Sequence, residues 1–299
     1  MTAWVPAGWG VAEAVAVIPA RDEAARLQAA VAALHAQGAH VLVVANGCRD
    51  ATAAVARGTG AAVLELAALE GGVGEARRRG MAWATRRAPR ARMLLTTDAD
   101  ARLAEGTVAV LADALTQADA AMGRVVPDPA EFATLPAPVR RHGDLEDRRD
   151  ALLSALGAAA VPSDHDPAPR HGQAPGALMA FRPDAYRATG GFRPMRCAED
   201  RDLHRRMVRA GLRVAHPWNA VVLVSCRTAG RAPGGMADTI AARTRADLRA
   251  ETARLARQCD RLARLCDAVS RQGRGALDHL VPNIMEGNDD VLPLGQAAI

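Results

Sequence analysis

The segment LLTTDADARL, from Leu94 to Leu103, runs from an apolar stretch directly into two aspartates separated by one alanine. In a strand, residues two apart point to the same side, so the carboxylates of Asp98 and Asp100 would converge at the strand end. Open α/β sheets bind their ligands at this edge, and a divalent cation that carries a phosphate suits a pair of carboxylates. An Asp-rich turn that closes the strand is the alternative. The segment alone leaves both interpretations open.

The composition is that of a globular protein with room for one large domain or two modest ones. The 299 residues are 49% hydrophobic and 24% charged. The net charge is +5, yet all 38 basic residues are arginine and aromatic residues make up 3%. A nucleic-acid-binding protein more often clusters basic residues with aromatic ones that stack on bases. We therefore expect no nucleic-acid partner.

The cysteines and the apolar runs bear on location. Five cysteines, an odd number with no C-x-x-C pair, indicate free thiols in a reducing compartment. No apolar run is long enough to cross a bilayer, and the first residues lack the pattern of a signal peptide. We expect a cytoplasmic protein without a transmembrane span.

Strands and helices alternate over the first hundred residues. Apolar, β-rich runs are followed by helically spaced segments that end at glycine, which predicts a mostly parallel sheet with helices on both faces. The predicted strands cover residues 14–20, 40–47, 61–66 and 91–100.

The rest of the chain is less regular. The patterns predict a helix over 106–120, a strand over 120–126, a connector over 127–138, a helix over 139–160 and an irregular loop over 161–176. A long amphipathic helix is predicted over 235–272. Its apolar stripe either packs on the domain or forms a homodimer, and its arginines could also rest on anionic lipid. The expected divisions are a lead-in at 1–13, a main domain at 14–234, this helix, and a poorly ordered tail at 273–299.

Four further motifs lie where predicted strands or loops end. Glu23 follows the first predicted strand, and Asn46 and Asp50 follow the second; helix-start chemistry is the alternative for both acids. A glycine-rich loop with Gly72 and Gly74 precedes a helix, where backbone can approach a diphosphate. It is not a dinucleotide fingerprint, because G-x-G-x-x-G needs glycine where Arg77 stands. A distant acidic pair, Glu199 and Asp200, opens another helix beside the turn ATGGF.

The ordered set VIPARDE, NGCRDAT, GGVGEARR, TTDADA, GALMAFR with GGF, and AED resembles the inverting family 2 glycosyltransferases of the GT-A fold. The resemblance spans about residues 14–227. It implies an α/β nucleotide-diphospho-sugar transferase fold, a nucleoside diphosphate sugar donor such as a UDP- or GDP-sugar, a hydroxyl acceptor, and Mg²⁺ or Mn²⁺ as cofactor.

The resemblance also implies roles for individual residues. Asp98 and Asp100 match the metal-binding DXD motif, and Asp200, with Glu199 beside it, matches the general base. The donor-binding set would comprise Pro19, Arg21, Glu23, Asn46, Asp50, Gly72, Gly74, Arg77 and Asp98. In the loop, His165, Asp166, His171 and Gly176 are acceptor candidates, with a solvated loop as the alternative.

The chain departs from the family pattern at three places. Ala45 and Asn46 stand where many members have two acids, and Val73 stands where a lysine often follows the glycine, which would leave diphosphate neutralisation to Arg77 or Arg78. The late metal-binding histidine is replaced by Ser225 or Cys226, and we expect His216 to be structural. These departures keep open a catalytically degenerate binding protein. A nucleotidyltransferase fits less well, because PARDE lacks the glycine-rich loop of that class.

Overall fold

The computed structural model of the chain describes residues 2–230, 235–273 and 275. The described strands are β1 (Thr2–Trp4), β2 (Ala14–Ala20), β3 (His40–Asn46), β4 (Ala62–Leu66), β5 (Met93–Thr97), β6 (Ala101–Leu103), β7 (Ala120–Met122), β8 (Arg124–Pro127), β9 (Leu178–Phe181), β10 (Val214–Ala215) and β11 (Val221–Val224). The described helices are α1 (Leu27–His35), α2 (Thr52–Gly58), α3 (Gly72–Arg87), α4 (Thr107–Ala114), α5 (Pro129–Thr134), α6 (Ala137–Ala160), α7 (Pro183–Ala188), α8 (Glu199–Arg209), α9 (Met236–Arg245) and α10 (Arg249–Gln272).

Eight strands form the main sheet in the order β1-β4-β3-β2-β5-β9-β7-β10. Strands β2, β3, β4 and β5 run parallel, whereas β9 runs antiparallel to both of its neighbours. The chain proceeds outward from β2 to β4 and then returns to place β5 on the other side of β2. The strand order therefore reverses between β2 and β5, the position at which open α/β sheets form a ligand crevice.

Alternation along the parallel strands builds a core on each face of the sheet. In β2, Val15 and Val17 pack with α3 and α8, whereas Ala16 and Ile18 pack with α1, α2 and α4. Helix α3 lies close to the sheet at Gly80, where a Cβ atom would stand 2.5 Å from Val17 Cγ1. The predicted mixed α/β architecture, with a mostly parallel sheet flanked by helices, is confirmed.

Three stretches differ in their elements from the sequence prediction. The strand predicted over 120–126 is two strands, β7 and β8, which belong to different sheets and separate at Gly123. The predicted connector contains α5, which begins where the Asp128 side chain accepts hydrogen bonds from two backbone N–H groups. The predicted lead-in contains β1, which pairs with β4.

The C-terminal segment contains two helices where the sequence predicts one. Helix α9 ends where Ala246 adopts an extended backbone, and α10 begins three residues later. The apolar stripe of α10 packs on α6, with Leu262 and Leu265 against Leu156. The apolar stripe therefore packs within the chain, which is the first of the arrangements predicted for it, and this packing covers the surface that a homodimer would use. Residues 231–234, at the predicted domain boundary, and most of the predicted tail lie outside the described residues.

Two observations concern the remaining physical predictions. All five cysteines are free, as predicted. Among the helices of the described residues, none combines the length and the apolar composition that crossing a bilayer requires.

Candidate functional site

Asp98 and Asp100 lie in the turn that joins β5 to β6, at the crevice beside β2. The strand geometry expected for them is therefore wrong, since both residues come after the last residue of β5. The turn nevertheless brings the carboxylates together: burial raises the pKa of Asp100, and the negative charge of Asp98 raises it further. The two interpretations of this segment, an Asp-rich turn and a pair of converging carboxylates, therefore both describe the structure.

Arg77, on α3, connects three parts of the site. Its side chain is 3% exposed; Nη2 donates to Asp98 Oδ1 at 2.6 Å and to the carbonyl of Gly176 at 2.8 Å, and Nη1 donates to Glu199 Oε1 at 2.5 Å. Burial opposes the charge of this guanidinium, but the surrounding acids outweigh burial and raise its pKa. Arg77 is therefore a buried cross-link between carboxylates, and both Nη atoms, which the sequence suggested for diphosphate neutralisation, are bonded within the chain.

The glycines before this helix have an internal explanation. A Cβ atom on Gly74 would lie 2.4 Å from the carbonyl oxygen of Arg193, and one on Gly72 would lie 2.9 Å from Arg196 Cα. The Gly74 N–H donates to the carbonyl of Met195 at 3.0 Å. The backbone that approaches Gly72 and Gly74 is the chain's own segment 193–196, where a diphosphate was predicted.

Glu199 and Asp200 begin α8 directly after Ala198, which has a left-handed backbone with φ of 59°. A left-handed alanine is strained, and such strain concentrates at functional sites. Glu199 is buried against Arg77, and burial raises its pKa despite this partner. Asp200 is only half-buried: its Oδ2 accepts from the Gly176 N–H at 2.6 Å and its Oδ1 from the Arg201 N–H at 2.7 Å. Asp200 is thus the more accessible acid of the pair.

Glu23 and Asp100 share an arginine that the sequence did not single out. Arg227 lies just beyond β11 and approaches Glu23 with both guanidinium nitrogens, Nη2 to Oε1 at 2.7 Å and Nη1 to Oε2 at 3.0 Å. The same Nη2 lies 3.0 Å from Asp100 Oδ2. Glu23 precedes α1 by four residues, and its carbonyl accepts from the N–H groups of Arg26 and Leu27. Its backbone therefore opens the turn that leads into α1, while its side chain binds Arg227.

Ser225 and Cys226, the residues in place of the late histidine, contact another acid. Ser225 Oγ donates to Glu131 Oε2 at 3.0 Å, and the Cys226 N–H donates to the same oxygen at 2.8 Å. The next residue, Arg227, is the one that contacts Glu23 and Asp100. No local sequence pattern marks it, because its partners lie more than a hundred residues earlier.

The predicted nucleoside side of the site lies beyond the end of β3. Asn46 is buried, and its Oδ1 accepts from the Leu69 N–H at 2.9 Å, so this side chain holds the next loop. Asp50 is exposed and accepts from the N–H groups of Ala24 and Thr52. Ala51 occupies the N-cap position of α2 without a side-chain hydrogen bond, so the Asp50 carboxylate binds the first N–H of that helix. Pro19 lies within β2, and Arg21 is exposed directly after it.

Asp50 also belongs to a second group of candidate ligands. Asp22, Cys48 and Asp50 bring three ligand atoms within 4.8 Å of one another. Their atoms already have partners: the Cys48 thiol donates to the carbonyl of Ala20, and Asp22 Oδ1 accepts from the Arg49 N–H. This group is separate from Asp98 and Asp100.

The irregular loop 161–176 contributes one backbone group to the site and several internal contacts. Gly176 binds both Arg77 and Asp200 through its carbonyl and its N–H. Asp166 and His171 are buried, and Asp166 accepts from the His216 N–H at 2.6 Å, while His171 Nε2 lies 3.1 Å from the Met122 carbonyl. These two acceptor candidates therefore make contacts within the chain, and His216 Nδ1 also lies 3.1 Å from Asp166 Oδ2. His165 is half-buried, with Nδ1 3.1 Å from Ser163 Oγ.

The charges of the site suit a divalent cation. The site contains two guanidiniums, those of Arg77 and Arg227, and five carboxylates, those of Glu23, Asp98, Asp100, Glu199 and Asp200. The negative charge of Asp98 raises the pKa of both arginines. With all groups ionised the site is negative by three charges, which would repel a diphosphate. Carboxylate oxygens are the ligands that Mg²⁺ and Mn²⁺ prefer, so Asp98 and Asp100 fit such an ion.

Comparison with known families decides the class of protein. Residues 12–261 match the family described as glycosyltransferase like family 2. The chain belongs to this family. It is a glycosyltransferase, and its mixed α/β architecture is the GT-A fold that the sequence resemblance implied. No curated protein matches the sequence.

Solved structures resemble the chain at low identity, and TarS does so with a TM-score above 0.5. TarS of S. aureus, in complex with UDP-GlcNAc, is 15% identical with a TM-score of 0.52 over 81% of this chain and 70% of its own. The mannosyltransferase PcManGT from Pyrobaculum calidifontis, in complex with GDP-Man and Mn²⁺, is 16% identical with a TM-score of 0.49 over 96% and 83%. Glucosyl-3-phosphoglycerate synthase from Mycobacterium tuberculosis, in complex with Mn²⁺, UDP and phosphoglyceric acid, is 17% identical with a TM-score of 0.49 over 79% and 80%. At 15% identity and a TM-score of 0.52, the similarity to TarS concerns the fold alone.

Proposed function

We propose that this glycosyltransferase is metal-dependent and inverting, and that it moves a sugar from a nucleoside diphosphate sugar to an acceptor hydroxyl in a single displacement. Asp98 and Asp100 would hold Mg²⁺ or Mn²⁺, and Asp200 would be the general base. The family assignment supports the reaction class. One observation supports the residue roles. Arg77 bonds to Asp98, a proposed metal ligand, and to Glu199, the neighbour of the proposed base Asp200, so the proposed metal site and the proposed base are joined through one side chain.

The donor is proposed to lie over the crevice between β2 and β5. Bound to Asp98 and Asp100, the cation would offset the charge that grows on the leaving diphosphate. Asp50, exposed at the end of β3, is the proposed nucleoside contact. A UDP- or GDP-sugar is the expected donor class. Arg77 and Asn46 are left out of the direct donor contacts, because their polar groups bind other parts of this chain.

The acceptor is proposed to approach Asp200 from the side of Gly176. Two backbone N–H groups hold the Asp200 carboxylate and leave lone pairs on both oxygens for a hydroxyl proton. Removal of that proton allows the acceptor oxygen to attack the anomeric carbon from the face opposite the diphosphate, which inverts the configuration. Glu199 is buried against Arg77, so its proposed role is to position that framework.

The experiment is titration calorimetry with UDP and GDP, each with and without Mn²⁺, followed by sugar-transfer assays with the matching donors. We expect nucleotide binding that requires Mn²⁺ in the native chain and is lost in Asp100→Ala. The exposed variant Asp113→Ala, on α4, is the control and should bind like the native chain. Metal-dependent binding without turnover of any donor would favour the degenerate binding protein instead.

Cytoplasmic location remains part of the proposal, and its support is chemical. Five free thiols, among them the exposed Cys197, suit a reducing compartment.

A further inference from the structure

Arg227 forms a largely buried ion pair, unlike an exposed pair on the protein surface. Its side chain is 18% exposed, and those of its partners Glu23 and Asp100 are 7% and 20% exposed. Contact with Glu23 uses both guanidinium nitrogens, the fork geometry that makes arginine–carboxylate pairs strong and directional. One positive charge is therefore fixed directly at a carboxylate proposed to bind the cation.

The backbone before Arg227 is fixed independently of these acids. Glu131 accepts hydrogen bonds from Ser225 Oγ and from the Cys226 N–H, and the Arg227 N–H donates to Ser225 Oγ at 3.2 Å. The long side chain can therefore change partners while its Cα stays in place. A guanidinium binds a diphosphate as readily as it binds a carboxylate.

We propose that Arg227 is an internal counter-cation that competes with the divalent cation for Asp100. The inference rests on the proposed function and adds a regulation of its metal site. In the donor-free protein, the guanidinium occupies Asp100 and Glu23 and weakens binding of the metal alone. When donor arrives, its diphosphate gives Arg227 a new anionic partner and gives the cation further oxygen ligands. Cation and donor therefore enter together.

The test measures binding of Mn²⁺ alone, by electron paramagnetic resonance of the free ion, in the native chain and in Arg227→Met. Removing a positive charge about 3 Å from the ligand oxygen should tighten Mn²⁺ binding by about tenfold or more. Arg102→Met is the matched control: Arg102 lies two residues beyond Asp100 and pairs with Asp128, so its loss should change the affinity by less than about twofold. Asp100→Ala added to Arg227→Met should abolish the gain.

A second variant covers a failure of Arg227→Met to fold. Arg227→Lys keeps the charge but cannot hold Glu23 through a fork, and we expect about threefold tighter Mn²⁺ binding. Unchanged or weaker Mn²⁺ binding in the folded variants overturns the proposal. Because no donor is present, this result is independent of the nucleotide titration. Nucleotide could bind as proposed while Arg227 has no effect on Mn²⁺ binding. Equally, Arg227 could weaken Mn²⁺ binding in a chain that binds no nucleotide.

Discussion

Arg77 Nη1 donates to Glu199 Oε1 at 2.5 Å, although the two residues are 122 positions apart in the chain, and both side chains are almost fully buried. The second arm of the same guanidinium holds Asp98. A buried ion pair of this kind is costly to break from one side, because the remaining charge keeps its burial and loses its partner.

Replacing Arg77 by methionine should therefore lower the free energy of unfolding by about 3–5 kcal/mol, measured by urea denaturation. Arg78→Met is the control: the neighbouring side chain is 48% exposed, and its loss should change stability by less than about 0.5 kcal/mol. Adding Glu199→Gln to Arg77→Met should recover part of the loss. If Arg77→Met and Arg78→Met lowered the free energy of unfolding equally, the buried cross-link would be contradicted.

Asp200→Asn should lower the rate of sugar transfer by a factor of about 10²–10⁴ while nucleotide binding with Mn²⁺ is retained, because the amide cannot accept the hydroxyl proton. Transfer is measured by product formation and binding by calorimetry. Asp202→Asn, on the same helix and paired with Arg193 and Arg206, should transfer sugar at a near-native rate. Native turnover in Asp200→Asn would exclude it as the base.

Gly176→Ala tests how tightly the site is assembled. The new Cβ would lie 2.4 Å from Arg77 Nη1 and 3.0 Å from Asp200 Oδ2, so the arginine and the proposed base must both shift. We expect transfer to fall at least about tenfold, with a loss of about 1–3 kcal/mol in unfolding free energy. At Gly172 an added Cβ meets nothing within 4 Å, so Gly172→Ala should be close to native in both assays.

His171 should make stability depend on pH. Burial, with the nearby His216, lowers the pKa of His171 to about 3, well below the value of about 6.5 in the unfolded chain. The unfolded state then binds more protons, so the contribution is present above pH 6.5 and is lost as pH falls, by about 1.4 kcal/mol per pH unit. Denaturation at pH 7, 6 and 5 should show a shallower loss in His171→Gln than in the native chain. The loop variant Gly172→Ala, which removes no titratable group, should keep the native slope. Identical slopes in all three chains would refute the argument.

The α10–α6 contact should contribute to stability without setting the oligomeric state. Leu262→Ala removes buried apolar surface against α6 and should lower the unfolding free energy by about 2–4 kcal/mol. Its sedimentation coefficient should equal that of the native chain, whereas a dimer through this stripe would dissociate. Arg264→Ala, on the exposed side of α10, should change neither measurement.

Local periodicity was enough to predict the parallel strands and the edge of the sheet where the acids gather. Apolar alternation located the strands, and the position of acids after them located Glu23 and Asp98 at one crevice, whereas the role of Asp200 came from the family resemblance. The acidic motifs can be read locally because the carboxyl end of a strand is itself a local feature. The same reasoning missed the break between α9 and α10, since apolar spacing continues across an extended residue such as Ala246.

The pairing of charges could not be predicted from the sequence. Arg77 reads as an exposed helix residue among several arginines, and only the distant Glu199 and Gly176 show that it is buried. Arg227 has no local marker at all. Asp166 and His171 look like polar loop residues until packing buries them against the end of β10. In each case the role depends on a partner brought close by the fold.

The turn of Asp98 and Asp100 has a mechanical consequence. It carries the chain from β5, in the eight-stranded sheet, to β6, in the three-stranded one. A ligand that binds both aspartates therefore restrains the connection between the two sheets. Occupancy at the crevice should then slow hydrogen exchange at the amides of β6 and β11.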